Sequence, residues 1–265
     1  MSKNFELLQN LAKERDLFDT GSGTGTSTGT NTGTAVISEA RPVEVNPIGA
    51  SPLQLAADEG QRDELGKLVQ RVFLQREPEA FRSVLFCGTE PGNGCSWTCA
   101  RAAEILASQV RASVCVVDAN LRAPSLHREF GVENHHGLSD SLLAGDPIRS
   151  FISPVRHNLA ILSCGANPSS GRALLSSDRM RSRLAELNQE FDFVLIDASS
   201  VSMGNETVAL GRAADGVVLI LKASSSRRDS VRQTIQQFEN ASVRVLGAVL
   251  NQRTFPVPAG LYHRL

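Results

Sequence analysis

Two aspartates that each end an apolar run, and a glycine-rich turn that runs into a serine, are the residues best suited to chemistry in this chain of 265 residues. The turn is Gly92-Asn93-Gly94-Cys95-Ser96, after the apolar run Val84 to Cys87 and before a helical pattern. Glycines at this spacing let backbone N–H groups turn inward and cradle phosphate, and the following helix adds its dipole. Ser96 stands where a hydroxyl would bind Mg²⁺. Asp118 follows Val114-Cys115-Val116-Val117, and Asp197 follows Phe193-Val194-Leu195-Ile196. A carboxylate at the end of an apolar strand costs free energy to bury, so it needs work: ordering water on a metal, activating a hydroxyl, or capping a helix. The Asp197 run is a Walker B pattern, in which the carboxylate holds Mg²⁺ through its water. An active phosphate-binding loop places lysine between the last glycine and the serine, and this chain has Cys95 there.

These residues need strands and helices to hold them. Leu65, Leu68, Val69 and Val72 form a stripe at helical spacing, which predicts a helix over Glu59 to Phe73. Strands are predicted at Val84–Cys87, Val114–Asp118, Leu159–Leu162, Phe193–Asp197, Gly216–Leu221 and Val243–Leu250. Helices are predicted between them at Gly94–Val110, Met180–Glu190 and Arg228–Phe238. β-Branched runs between amphipathic helices imply an α/β fold, a mostly parallel sheet with helices on both faces. Ligands then sit at the carboxyl ends of the strands, where the candidate residues fall. Ahead of this domain, assigned to residues 57–265, lie a short helical pattern in residues 1–20 and a flexible Gly/Thr/Ser-rich linker over 21–56.

Composition narrows the function classes. The chain is 41% hydrophobic and 21% charged with a formal net charge of -1, which gives no footprint for nucleic acid. No apolar run is long enough to span a bilayer, and the N-terminus lacks a signal-peptide pattern, so a cytoplasmic location is expected. Of the five cysteines, Cys87, Cys99, Cys115 and Cys164 read as small buried hydrophobes. Cys95, at a helix N-terminus, is in a position that can favour a reactive thiolate.

The order of these motifs resembles the bacterial tyrosine kinases, the P-loop NTPase-like partners of polysaccharide co-polymerases in capsule and exopolysaccharide export, related to Min/Par ATPases. The likeness covers roughly residues 57 to 265. It rests on Gly92, Gly94 and Ser96, on Asp118-x-Asn120-x-Arg122-x-Pro124, and on Asp197. It extends to Gly137-Leu138-Ser139-Asp140, Ala214-Asp215-Gly216 and Leu246-Gly247-Ala248-Val249-Leu250-Asn251. The resemblance implies ATP and Mg²⁺ as cofactors, with Asp118 and Asp197 catalytic and Ser96, Asp118 and Asp197 on the metal. It implies Gly92, Asn93, Gly94, Cys95, Ser96, Trp97, Arg122 and Asn251 at the nucleotide, Asn251 against adenine. The implied partner is a membrane co-polymerase or chain-length determinant protein, which could recruit the chain to the inner membrane. A homo-oligomer is compatible with it.

Three departures bear on catalysis. Cys95 removes an ammonium whose phosphate hydrogen bond is worth about 1.5–3 kcal/mol, and losing such a transition-state contact costs about 10²–10³ in rate. The chain has only four lysines, Lys3, Lys13, Lys67 and Lys222, while Glu90 adds negative charge near the phosphates. Asn120 replaces the second aspartate of its motif and cannot act as a carboxylate base. The family's C-terminal tyrosine cluster is reduced to the single Tyr262. The oligomerisation pattern Glu-x-x-Arg-x-x-Arg is only partly matched, by Glu64, Lys67 and Gln70, with Arg71 one residue late. The expectation is a tyrosine-kinase-like protein with weakened catalysis that regulates or scaffolds a co-polymerase. The alternatives are an active kinase whose missing lysine is supplied elsewhere, and a Min/Par-like positioning ATPase.

Overall fold

In the apolar strands, successive side chains point to opposite faces, and here both faces are covered. Leu85, Cys87, Val194, Ile196, Val217 and Leu219 turn into one core, while Val84, Phe86, Leu195, Val218 and Ile220 turn into a second core behind the sheet. The computed structural model describes residues 59–74 and 81–252. The helical pattern expected in residues 1–20, the linker over 21–56 and Tyr262 lie outside the described residues.

The described chain begins with helix α1 (Glu59–Phe73), followed by β1 (Ser83–Gly88), α2 (Cys95–Gln109) and β2 (Val114–Asp118). Two short helices, α3 (Leu126–Phe130) and α4 (Leu138–Leu143), lead to β3 (Ser153–Arg156) and β4 (Leu159–Leu162). Next come α5 (Pro168–Arg172), α6 (Asp178–Glu190), β5 (Phe193–Asp197), α7 (Glu206–Gly211), β6 (Gly216–Lys222), α8 (Arg228–Asn240) and β7 (Val245–Asn251). The sheet has seven strands in the order β3-β4-β2-β5-β1-β6-β7. Every adjacent pair is parallel except β3 with β4, an antiparallel edge. The fold is therefore the mostly parallel α/β sheet of a P-loop NTPase-like domain.

Helix α1 forms because its apolar positions recur every three to four residues. Leu65, Val69, Val72 and Phe73 are buried, and Phe73 meets Phe193 edge-on at 5.8 Å between ring centroids. Glu64 and Lys67, on its exposed face, pair with each other at 2.7 Å. Helix α2 packs Ala100, Ala103 and Leu106 against Phe86 and Val116. Those small residues bring the helix close to β1, which fixes where the loop between them must turn. Phe86 is wholly enclosed, and truncating such a side chain costs about 3–5 kcal/mol.

Several elements had no forecast in the sequence. Strand β3 contains Pro154 and alternates half-buried with exposed residues. Helices α3, α4, α5 and α7 each have five or six residues, too few to show a period. Arg183 is the largest fully buried side chain. Its guanidinium donates to the carbonyls of Ser141 and Ala144, capping the end of α4, and pairs with Glu186 at 2.7 Å.

Candidate functional site

β1 lies between β5 and β6, so the loop leaving it enters the crevice at the carboxyl edge of the sheet. Gly92 and Gly94 adopt φ values of 82° and 80°, the left-handed region that glycine enters without strain. Gly94 is also the N-cap of α2, with no side chain capping the helix. The first N–H groups of α2 lack partners within the helix and have no acidic residue in the first turn to serve them. An open helix start of this kind suits an anion.

Asn93 sits inside the turn rather than facing the crevice. It is buried, and its Nδ2 donates to the Ile220 carbonyl at 2.9 Å and to Thr89 Oγ1 at 3.3 Å. Ser96 and Trp97 follow on the first turn of α2, both half-buried. Arg101 turns away from the loop. It is buried, pairs with Glu104 at 2.6 Å and Glu129 at 2.9 Å, and stands 5.9 Å from the Trp97 ring. Lys67, on α1, is engaged with Glu64.

Asp118 and Asp197 end β2 and β5, which are neighbours, and are direct register partners, both fully enclosed. Asp118 is well supplied with donors. Its Oδ2 accepts the N–H groups of Ser125 and Leu126, both at 3.0 Å, and its Oδ1 accepts that of Asn120 at 3.3 Å. It therefore caps the start of α3, a helix whose own N-cap residue makes no side-chain bond. Burial raises its pKa, and these backbone N–H groups oppose the rise. Asp197 has no such support: neither carboxylate oxygen has a hydrogen-bond partner. Burial first, and then repulsion from Asp118, push its carboxyl up. The Ser96 hydroxyl and Cys95 thiol lie near enough to offset this in part, without forming a bond of ordinary geometry.

The setting of Cys95 runs against the expectation of a reactive thiolate. Burial first, and then the Asp197 charge, raise the thiol well above its ordinary pKa, opposite to the direction expected at a helix N-terminus. Cys87, Cys99, Cys115 and Cys164 are buried free thiols, as their apolar settings predict.

The remaining sequence candidates divide. Arg122 pairs with Glu206 at 2.8 Å, joining the loop after β2 to the start of α7. Asn120 accepts the N–H of Ala123 at 3.3 Å and so stabilises its own turn. The Asn251 carboxamide, expected at an adenine, holds the loop itself, with Nδ2 donating to the Asn93 carbonyl at 3.0 Å. Sequence reasoning missed Gln252, whose Nε2 donates to the Gly92 carbonyl at 3.2 Å, and Glu206. Neither carries a motif that would have singled it out.

The residues present fit a magnesium–phosphate group in part. The orphaned Asp197 carboxylate beside the Ser96 hydroxyl suits a hard cation, and the two glycine turns suit phosphate oxygens. The ammonium that would complete the phosphate contacts is replaced by a neutral thiol.

No family model matches the chain. The tyrosine-protein kinase YwqD of Bacillus subtilis is 29% identical over 171 residues, 64% of this chain and 72% of YwqD. Tyrosine-protein kinase Etk of Escherichia coli is 28% identical over 169 residues, 63% of this chain but only 23% of Etk. The matched region thus spans about a quarter of that longer relative. Among solved structures, the kinase domain of Escherichia coli Etk superposes with a TM-score of 0.66 at 24% identity, covering 76% of this chain and 80% of that one. Cobyrinic acid a,c-diamide synthase of Mycobacterium smegmatis, with bound ATP analog and magnesium, superposes with a TM-score of 0.57 at 20% identity. It covers 64% of this chain and 72% of that one. With its glycine loop, its paired strand-end aspartates and this likeness together, the chain is a homologue of the bacterial tyrosine-protein kinases and has the fold of their P-loop kinase domain.

Proposed function

We propose that this chain is a catalytically weakened tyrosine-kinase-like protein of exopolysaccharide or capsule biosynthesis, acting as a regulator or scaffold for a membrane co-polymerase. One observation carries the reading: the buried Asp197 carboxylate faces Cys95, and no lysine or arginine among the described residues pairs with it, in a loop otherwise shaped for phosphate. Ser96 and Asp197 are the residues that would hold Mg²⁺, and the ion would neutralise charge on phosphate oxygens. Asp118 spends Oδ2 on backbone N–H groups, so any role as a base, or any hold on the metal, falls to Oδ1. Gly92 to Trp97 would receive the phosphates. Arg122 would bear on them only by leaving Glu206. No helix among the described residues is long and apolar enough to cross a membrane, which suits a location in the cytoplasm with recruitment by a partner.

Titration of Mg²⁺-ATP into the native chain and into Cys95→Lys tests this. Weak or absent binding by the native chain, and binding by the lysine variant, is the expected result. Submicromolar binding by the native chain would sink the proposal. The rival reading, an active kinase with its cation supplied elsewhere, has one observation in its favour. Lys222 ends β6 beside β1 and shares the pleat of Val218 and Ile220, the face covered by α2. Under that reading the native chain binds Mg²⁺-ATP, and Lys222→Ala abolishes the binding.

A further inference from the structure

A loop that turns its N–H groups toward a pocket turns its carbonyls outward, and each outward carbonyl needs a donor. In this chain two of those donors come from the far end of the sequence. Asn251 Nδ2 serves the Asn93 carbonyl and Gln252 Nε2 serves that of Gly92. Asn251 follows Val249 on the pleat that faces α2, so its side chain reaches the loop from the strand end. Its orientation is fixed from behind, because Oδ1 accepts the Gln252 N–H at 2.8 Å. Gln252 adopts φ 55°, a conformation that a non-glycine residue takes up at a cost. The fit is close: a Cβ on Gly94 would push Asn251 Nδ2 from its place.

We propose that Asn251 and Gln252 are positioning residues, a latch that holds Gly92-Asn93-Gly94 in its anion-binding shape and ties the loop to the end of β7. This rests on the reading of the loop as a phosphate site. Asn93, bonded to Ile220, anchors the same turn from β6, so the last two strands of the sheet grip the loop together.

Hydrogen exchange of the loop amides in the full chain, followed over residues 88–98 without nucleotide, tests the latch. Asn251→Asp keeps the shape and the acceptor for the Gln252 N–H but loses the donor to Asn93. Gln252→Ala alters an exposed residue and leaves the core untouched. Both should speed loop exchange by about five- to tenfold, the size of one lost hydrogen bond, and shift the emission of Trp97, the sole tryptophan. Leu250→Ser, at a 47% exposed neighbour, should leave the loop rates unchanged. Loop rates within about twofold of native in both test variants, or acceleration spread evenly over the whole sheet, would overturn the latch. Neither readout needs bound nucleotide, so submicromolar Mg²⁺-ATP binding by the native chain would count against the proposed function and leave this result standing.

Discussion

Asp118 and Asp197 have the same residue type, burial and strand-end position, and they are partners in register, yet their surroundings are opposite. Asp118 accepts N–H groups from Asn120, Ser125 and Leu126, whereas Asp197 accepts none. The first carboxylate is engaged mainly in holding the chain; the second is kept in a state that a ligand or a proton would relieve. Motif reading ranks both as chemical residues, but the hydrogen bonds separate an anchor from a reserve.

The largest test of that contrast is Asp118→Ala. Leaving the buried N–H groups without an acceptor should cost about 3 kcal/mol and lower the melting midpoint by roughly 10 °C, read by calorimetry. A loss no greater than that in Asp197→Ala would erase the distinction. Cys95→Lys comes next. An ammonium beside the orphaned carboxylate should strengthen Mg²⁺-ATP binding at least about tenfold in a calorimetric titration, and no gain would mean that the crevice lacks more than a charge.

Smaller in size is Asp197→Asn. Both carboxyls are raised, so the folded chain binds protons more tightly than the unfolded chain, and native stability falls as pH rises from the ordinary carboxylate range, about 4, through the raised values. Removing the Asp197 charge should flatten that fall, giving a gain of about 1 kcal/mol in urea unfolding at pH 8.5 and almost none near pH 4.5. An equal slope in native and variant would show that Asp197 is not the strained member of the pair. Arg122→Ala should have the least effect, under about 1 kcal/mol, because its partly exposed pair with Glu206 is screened by solvent. A larger loss would show that the loops after β2 and β5 depend on each other.

The core strands were legible because their apolar runs are continuous, as in Phe193 to Ile196, and because β2 and β5 each release an aspartate at the carboxyl end. The glycine turn was legible from Gly92 and Gly94 because an apolar run precedes them and a helical pattern follows. What stayed hidden depends on distance in the chain or on atomic detail. Nothing in the sequence says that the Asn251 carboxamide meets the Asn93 carbonyl, 158 positions away. Nothing near Asp118 or Asp197 tells which will find backbone donors, since two of the three to Asp118, Ser125 and Leu126, come from the start of a five-residue helix too short to announce itself. Arg183 reads as a surface charge on an amphipathic helix, and is buried because the end of α4 presents carbonyls to it.

The close approach of Gly94 to Asn251 also constrains how this chain could change over generations. A side chain at position 94 would displace the carboxamide from its place, whereas Asn251 can be shortened with the glycine intact. A side chain at position 94 thus meets two obstacles, the carboxamide and the left-handed backbone, and a loss at Asn251 would remove only the first.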